Sequence, residues 1–400
     1  MCLLQGQLVS VRWLLSMYNH NIGKPLDNKS CINGSKIDKS YFIGWDIGGA
    51  HLKAVVLDSE GNFVDSIQLV CPLWRGLNNL EQAILDALRA FVIAPSRARH
   101  AITMTGELVD LFESRHDGVC KIAQVATEML GEQVLFYAAH KGFVQSCDVQ
   151  SLTSIIASAN WFASVSVLAL KLQSALFVDI GSTTTDIIAI VNGKIISQGI
   201  SDAHRLQADS LVYTGIIRTP VMALAQKLTF ENTDAITEFN VAAEYFATMA
   251  DVYRLTGELT ENADVAETAD GKGKTQLESA RRLARMVGHD VDCKKMEDDH
   301  LKNWIKLAFT CRHLQMQQIK TAMLKHLKPH MTIIGAGAGS FLVKAIATEL
   351  NHSYIPASEL VSSLPSKPSS SQTQHAINVC FPAFAVAFLS QKNLLTENNS

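Results

Sequence analysis

Tyr41-Phe42-Ile43-Gly44-Trp45-Asp46-Ile47-Gly48-Gly49-Ala50-His51-Leu52-Lys53-Ala54-Val55-Val56-Leu57 has a near copy further along the chain, Leu176-Phe177-Val178-Asp179-Ile180-Gly181-Ser182-Thr183-Thr184-Thr185-Asp186-Ile187-Ile188-Ala189-Ile190-Val191. In each, an apolar run ends on Asp-Ile-Gly, small residues follow, and a second β-branched run begins. A turn (Asp58 to Asn62 in the first, Asn192-Gly193 in the second) then leads to a third such run. These patterns predict a strand, a tight hairpin, a strand, a turn and a strand, twice over. Glycine and small hydroxyl residues let such a hairpin approach an anion and aim N–H groups at phosphate oxygens, and an aspartate at the strand end can hold a hydrated divalent cation. A single copy has a bland reading, because a glycine turn between strands is usually just a turn. Repetition in matching strand context is what points to a shared anion site.

The 400 residues are 48% hydrophobic and 18% charged, which suits a globular protein of two domains with a sizeable core. Formal net charge is -3 and no lysine or arginine run occurs, so nucleic acid is not an expected partner. Eight cysteines lie scattered with no C-x-x-C pair and no histidine at metal-ligand spacing, which reads as reduced thiols in a cytoplasmic protein. The most apolar stretch, Ser154 to Leu170, contains Asn160 and is followed by Lys171. It is too short for a membrane span and is expected as one buried helix leading into the second hairpin. Met1 to Tyr18 is apolar, but it has no basic start, Arg12 interrupts it and no small-residue cleavage site follows. Residues 1–40 are expected to be a disordered extension or the product of a start placed too far upstream.

The first domain is expected over 41–175. Gly76 to Val92 has helical spacing, and His100-Ala101-Ile102-Thr103-Met104 reads as a strand ending on Thr105-Gly106-Glu107. A polar loop at a strand's carboxyl end is where open α/β sheets place ligands, while the alternative is a helix start with Thr105 as cap and the acid favoured by the dipole. The second domain is expected over 176–390, with a long polar helical insertion at about 229–328. Within that insertion Asp251 to Glu258 and Glu267 to Gly271 form turn-like, ionisable islands, of a kind that usually belong to a solvated face. Met331 to Ser340 joins a strand to a helix, Phe341 to Leu350, through Gly335, Gly337 and Gly339, without the spacing of a dinucleotide fingerprint. Ser362 to Gln374 reads as a loop or disordered insert, Ala376 to Leu389 as an apolar helix, and 391–400 as a tail.

The doubled hairpin resembles the actin-like ATPase superfamily. That resemblance implies an α/β fold of two ribonuclease H-like domains facing a phosphate-binding cleft, with Gly335, Gly337 and Gly339 against the nucleoside. A closer resemblance lies in Gly-Trp-Asp-Ile-Gly-Gly-Ala-His-Leu-Lys (44–53), Met-Thr-Gly-Glu-Leu (104–108), Ala-Asn-Trp (159–161), Arg-Thr-Pro (218–220), Tyr-Arg-Leu-Thr-Gly-Glu-Leu (253–259), Thr-Ala-Asp-Gly (268–271) and Ala-Arg-Met-Val-Gly (284–288). Together they are similar to the hydantoinase/oxoprolinase proteins, within them to the tetrahydromethanopterin-linked one-carbon transfer subgroup.

The resemblance implies a transferase of methanofuran biosynthesis, joining (aminomethyl)furan-methyl diphosphate to the phenol of γ-glutamyltyramine and releasing diphosphate. It implies Mg²⁺ and small-molecule partners, with no membrane, and is compatible with a homo-oligomer. Carried onto this sequence, Asp46, Asp179 and Asp186 become metal-facing acids, Gly48, Gly49, Gly181, Ser182, Thr183 and Thr184 phosphate contacts, and Lys53 a charge clamp. Glu107 becomes the general base, with Asp251 as runner-up, and singling out Asp251, Arg254 and Asp270 rests more on the resemblance than on their spacing. The plain structural alternatives are a cap for Asp186 and a solvated side chain for Lys53. The same hairpins also serve an ATP-dependent small-molecule kinase or a non-catalytic nucleotide-dependent switch, so the sequence leaves open whether ATP binds.

Overall fold

β1 (Tyr41–Ile47), β2 (His51–Asp58) and β3 (Phe63–Val70) form an antiparallel meander. β4 (Ala98–Met104) adds parallel to β1, β5 (Leu135–Tyr137) parallel to β4, and β6 (Phe143–Gln145) antiparallel to β5, giving the order β3-β2-β1-β4-β5-β6. The second sheet repeats this plan. β7 (Ser174–Ile180) and β8 (Thr185–Val191) pair antiparallel, and the edge of β8 carries both β9 (Lys194–Ile196) and β10 (Leu211–Val212). β11 (Lys227–Asn232) and β12 (Ala235–Asn240) stand apart as a ribbon, and β13 (Thr332–Ala336) and β14 (Tyr354–Pro356) complete the sheet parallel to β7. These observations come from a computed structural model that describes residues 41–197, 199–232, 235–261, 263–291, 298–361 and 370–397.

Side-chain parity along the strands builds three cores. Ile43, Trp45 and Ile47 of β1, with Leu52, Ala54 and Val56 of β2, face the helices Asn78–Phe91 and Arg115–Leu130. Leu176, Val178 and Ile180 of β7 face Met249–Leu255, Gln276–Arg285 and Ser340–Glu349. The opposite faces, Phe42, Val55 and Leu57 from one sheet and Phe177, Ile188 and Ile334 from the other, share a core with the helices Asn160–Ala169 and Phe381–Glu397. Burying each such Val, Leu, Ile or Phe side chain is worth about 1.5–3 kcal/mol, so this shared core ties the sheets together. Gly44 shows how closely: a Cβ there would lie 1.9 Å from the Ala383 carbonyl oxygen and 2.9 Å from Ala387 Cβ. The last helix therefore lies directly on β1, although the sequence places it within 176–390.

Several sequence expectations change. The region expected as helical from about 229 opens with the β11–β12 ribbon, where in the first strand apolar Leu228 and Phe230 alternate with Lys227, Thr229 and Glu231. The apolar run 154–170 is two helices, Val149–Ile156 and Asn160–Ala169, broken where Ser158 takes φ 53°. The apolar helix expected at 376–389 is likewise two, Ser371–Val379 and Phe381–Glu397, so most of the expected 391–400 tail is helical. The readings of residues 1–40, and of most of the insert expected at 362–374, lie outside the described residues. Among the described residues no helix is long and apolar enough to cross a membrane.

Candidate active site in the cleft between the two sheets

Each hairpin turns at the carboxyl end of its sheet's first strand. Parity puts Asp46 on the face of Phe42, and Asp179 on the face of Ala175 and Phe177, so both aspartates look into the space between the sheets. The turns are closed alike: Gly48 N–H donates to His51 O at 2.9 Å, and Gly181 N–H donates to Thr184 O at 2.9 Å. Their carbonyls are taken up by the segment that follows. Gly49 O and Ala50 O accept from Leu73 N–H and Cys71 N–H, while Gly181 O and Ser182 O accept from Ile216 N–H and Ile217 N–H. Turning the negative ends of the peptides outward leaves the hairpins suited to an anion. Gly215 makes this possible, since a Cβ there would lie 2.5 Å from Thr183 N. Ser182 Oγ is buried and has no hydrogen-bond partner among the described residues, as expected of a hydroxyl that waits for a ligand oxygen.

Between the hairpins lies a cavity of about 430 Å³, lined by Asp46, Gly48, Gly49, Lys53, Asp179, Gly181, Ser182, Thr183, Thr184 and Asp186 among others. Burial pushes the Asp46 carboxyl up to about 6, with Lys53 opposing and Asp186 adding to the rise. Asp179 is pushed up to about 7 by burial and then by the neighbouring carboxylates Asp186 and Asp46. Buried acids that raise one another across a cleft call for a counter-charge. Asp46 Oδ1 is also buried without a partner, so Asp46 and Asp179 fit a hydrated divalent cation. Among the described residues no three His, Cys, Asp or Glu side chains converge as a metal site. Asp186 is engaged differently: Arg205 Nη2 donates to its Oδ1 in a buried ion pair, and the guanidinium stacks on Trp161 with Cζ 4.4 Å from the ring centroid.

Other expected site residues lie away from the cavity. Glu107 is buried behind Ser158, whose Oγ donates to Glu107 Oε1 at 2.7 Å; burial raises its carboxyl to about 7 against that bond. Only Ser158 lines the cavity, so Glu107 reaches it through the hydroxyl. Asp251 closes a capping box with Thr248 and binds Arg254 Nη1 at 3.1 Å and Arg282 Nε at 2.8 Å, which makes it an anchor of the helical layer. Asp270 is held by Arg282 Nη1 at 2.9 Å. Gly335, Gly337 and Gly339 do not line the cavity; Gly337, at φ 78°, would set a Cβ 2.2 Å from Ile180 O, and Gly339 N–H donates to that oxygen.

The structure adds residues that no spacing signal marked. His51 lines the cavity as a buried imidazole without a hydrogen-bond partner among the described residues. Burial, then the cations Lys53, Arg218 and Lys274, hold it near 4, so it is neutral at physiological pH. Asp202 pairs with Arg115 across the two halves of the chain, and Arg218 lies at the cavity rim.

Two sheets of one strand order, each offering a hairpin to a common cleft, define the actin-like ATPase fold. A solved counterpart is the nucleotide-free structure of an acetone carboxylase, with TM-score 0.53 and 11% identity over 87% of this chain and 70% of the other. The chain belongs to the hydantoinase/oxoprolinase family, whose model matches residues 98–366. It is 29% identical over 358 residues, 89% of its length and 99% of the relative's, to the (4-{4-[2-(gamma-L-glutamylamino)ethyl]phenoxymethyl}furan-2-yl)methanamine synthase of Methanocaldococcus jannaschii. It is 32% identical to the enzyme of that name from Methanococcus vannielii over 181 residues, 45% of this chain and 78% of the relative.

Proposed function

We propose that the chain is a transferase of methanofuran biosynthesis, coupling (aminomethyl)furan-methyl diphosphate to the phenol oxygen of γ-glutamyltyramine with release of diphosphate. The observation that carries this reading is the pair of outward-carbonyl hairpins facing each other over one cavity, with the orphan Ser182 hydroxyl inside it. The relatives' names describe an ether between a furylmethyl carbon and a phenol bearing a γ-glutamylaminoethyl arm.

In the reaction the carbon–oxygen bond to diphosphate breaks with its electron pair leaving on the diphosphate. The phenol oxygen bonds to the furylmethyl carbon, and the phenol proton passes to a base. A furylmethyl carbon supports positive charge, so the transition state is loose and stabilisation of the leaving group dominates. Gly48, Gly49, Gly181, Ser182, Thr183 and Thr184 hold the leaving oxygens, and Lys53 clamps their charge. Mg²⁺ held by Asp46 and Asp179 supplies charge neutralisation when bound. Asp186 holds Arg205 in place. His51, neutral and with a ring nitrogen available, accepts the phenol proton. Ser158 and Asp202, with Glu107 behind them, face the donor's cationic aminomethyl group at the other end.

The test is incubation of purified protein with both substrates and no nucleotide. Ether and diphosphate should form in equal amounts, and added diphosphate should inhibit. Strict dependence on ATP, with ADP released in step with product, would establish the small-molecule kinase reading in its place.

A further inference from the structure

Three of the strings that carry the subgroup resemblance, Arg218-Thr219-Pro220, Tyr253 to Leu259 and Thr268 to Gly271, contribute no turn to the phosphate cleft. They converge beside it. A second cavity of about 330 Å³ shares Ala50, His51, Trp74 and Arg218 with the first, and its wall includes Arg254, Thr268 and Ala269. That volume lies within the ordinary small-molecule range of about 300–1,000 Å³.

Its lining mixes cationic, imidazole, aromatic and acidic groups. At the junction with the phosphate cleft stand His51 and Arg218, whose guanidinium lies over the Trp74 ring, 5.4 Å from the centroid, with no ion-pair partner among the described residues. Trp74 and Tyr245, 42% and 45% exposed, are aromatic rings partly open in this concave site. Lining the second cavity alone, Arg75 and Glu267 meet at 3.0 Å as an exposed ion pair whose members lie 192 residues apart in the chain. Such a pair contributes about 0–1 kcal/mol, so either partner is readily exchanged for a ligand charge. The other guanidinium on this wall, Arg254, is committed to Asp251 and Asp264.

We propose that this second cavity is the acceptor subsite, taking a phenol whose para arm ends in a zwitterionic α-amino acid. The ring lies against Trp74 and Tyr245. The phenol oxygen reaches His51 and Arg218, and the amino-acid carboxylate and ammonium exchange into the Arg75–Glu267 pair. The groups that line the cavity, a cation and an imidazole shared with the phosphate cleft, aromatic rings, and a charge pair that lines the second cavity alone, match the groups such a molecule carries. This assignment rests on the transferase reading and names the site of its second substrate.

Calorimetric titration tests it, with γ-glutamyltyramine, tyramine and Mg²⁺-diphosphate as probes on the full chain, alongside the condensation assay. Wild type should bind γ-glutamyltyramine at least about 10-fold more tightly than tyramine, because only the former carries the zwitterion. Arg75→Ala should remove that preference. Tyr245→Ala should weaken both phenols by about 10-fold, and diphosphate affinity should change less than about 2-fold in either variant. Both side chains are exposed at the cavity wall, so both variants should fold, as circular dichroism would verify. The assignment is overturned if both variants keep wild-type acceptor affinity, if the loss falls equally on diphosphate, or if wild type binds neither phenol. A wild type that condenses its substrates while the variants bind acceptor normally defeats the subsite and leaves the transferase standing. A wild type that binds both phenols and diphosphate but never condenses them defeats the transferase and leaves the subsite.

Discussion

The two hairpins share a backbone and differ in how their charge is met. In the first, Asp46 sits opposite Lys53 on the β1–β2 ladder; in the second, at the same register, Asp179 sits opposite Asp186. Lys53 is half-buried and lines the cavity, whereas the cation that answers Asp186 is Arg205, from the helix Asp202–Gln207, only 2% exposed. One hairpin therefore keeps its positive charge available to a ligand, and the other locks its own into the fold. A duplicated trace supplies matching turns, while a single register position decides whether the strand opposite the aspartate offers a cation, Lys53, or a second acid, Asp186.

The largest expected effect separates those two cations. Arg205→Ala leaves the Asp186 carboxylate buried and unpaired and should cost about 3–5 kcal/mol of stability in chemical denaturation. Lys53→Ala should cost less than about 1 kcal/mol and lower turnover instead. Equal losses of stability would erase the distinction between the hairpins.

Asp46→Asn and Asp179→Asn should each lower kcat by about 10²- to 10³-fold while remaining folded, since each removes a carboxylate that would hold the cation balancing the leaving diphosphate's charge. Near-wild-type turnover of either variant at limiting Mg²⁺ would remove the metal assignment from that hairpin. Gly337→Val should cost about 3 kcal/mol through overpacking against Ile180 O and an unfavourable positive φ, lowering the melting temperature without a selective loss of ATP affinity.

The smallest effect is a pH slope. Folding raises Asp46 to about 6 and Asp179 to about 7 from an ordinary value of 3.8, so the folded state holds their protons more tightly than the unfolded state does. Their contribution is fully present below pH about 4 and is lost as pH rises through about 6 to 7. Metal-free protein should lose at least about 1 kcal/mol across that window, and Asp179→Asn should flatten the slope. A stability that rises between pH 4 and 7 by the same amount in wild type and variant would show that these acids ionise freely.

Much of this architecture was legible because it is local and periodic. The repeated Asp-Ile-Gly turns announced themselves, and strand parity alone aims Asp46 and Asp179 at one cleft. What escaped depends on contacts between distant segments. Asp186 reads as a third metal-facing acid until Arg205 is seen to reach it. Glu107 reads as a base until Ser158, turned to positive φ inside an apolar run, is found between it and the cavity. Gly44 looked like one residue of a strand, yet it marks where Phe381–Glu397 lies on β1. The second cavity joins strings that begin at 218, 253 and 268 to Trp74 and Arg75 of the first half, and no single stretch carries that signal.

The paired hairpins are expected to hold a diphosphate together with a divalent cation. Titration of diphosphate into nucleotide-free protein, with and without Mg²⁺, measures this binding most directly. One diphosphate per chain should bind only with Mg²⁺, weakly or not at all after Asp46→Asn or Asp179→Asn, with ATP a poor competitor. Diphosphate binding that survives both substitutions, or tight ATP binding by a protein that ignores diphosphate, would contradict the account.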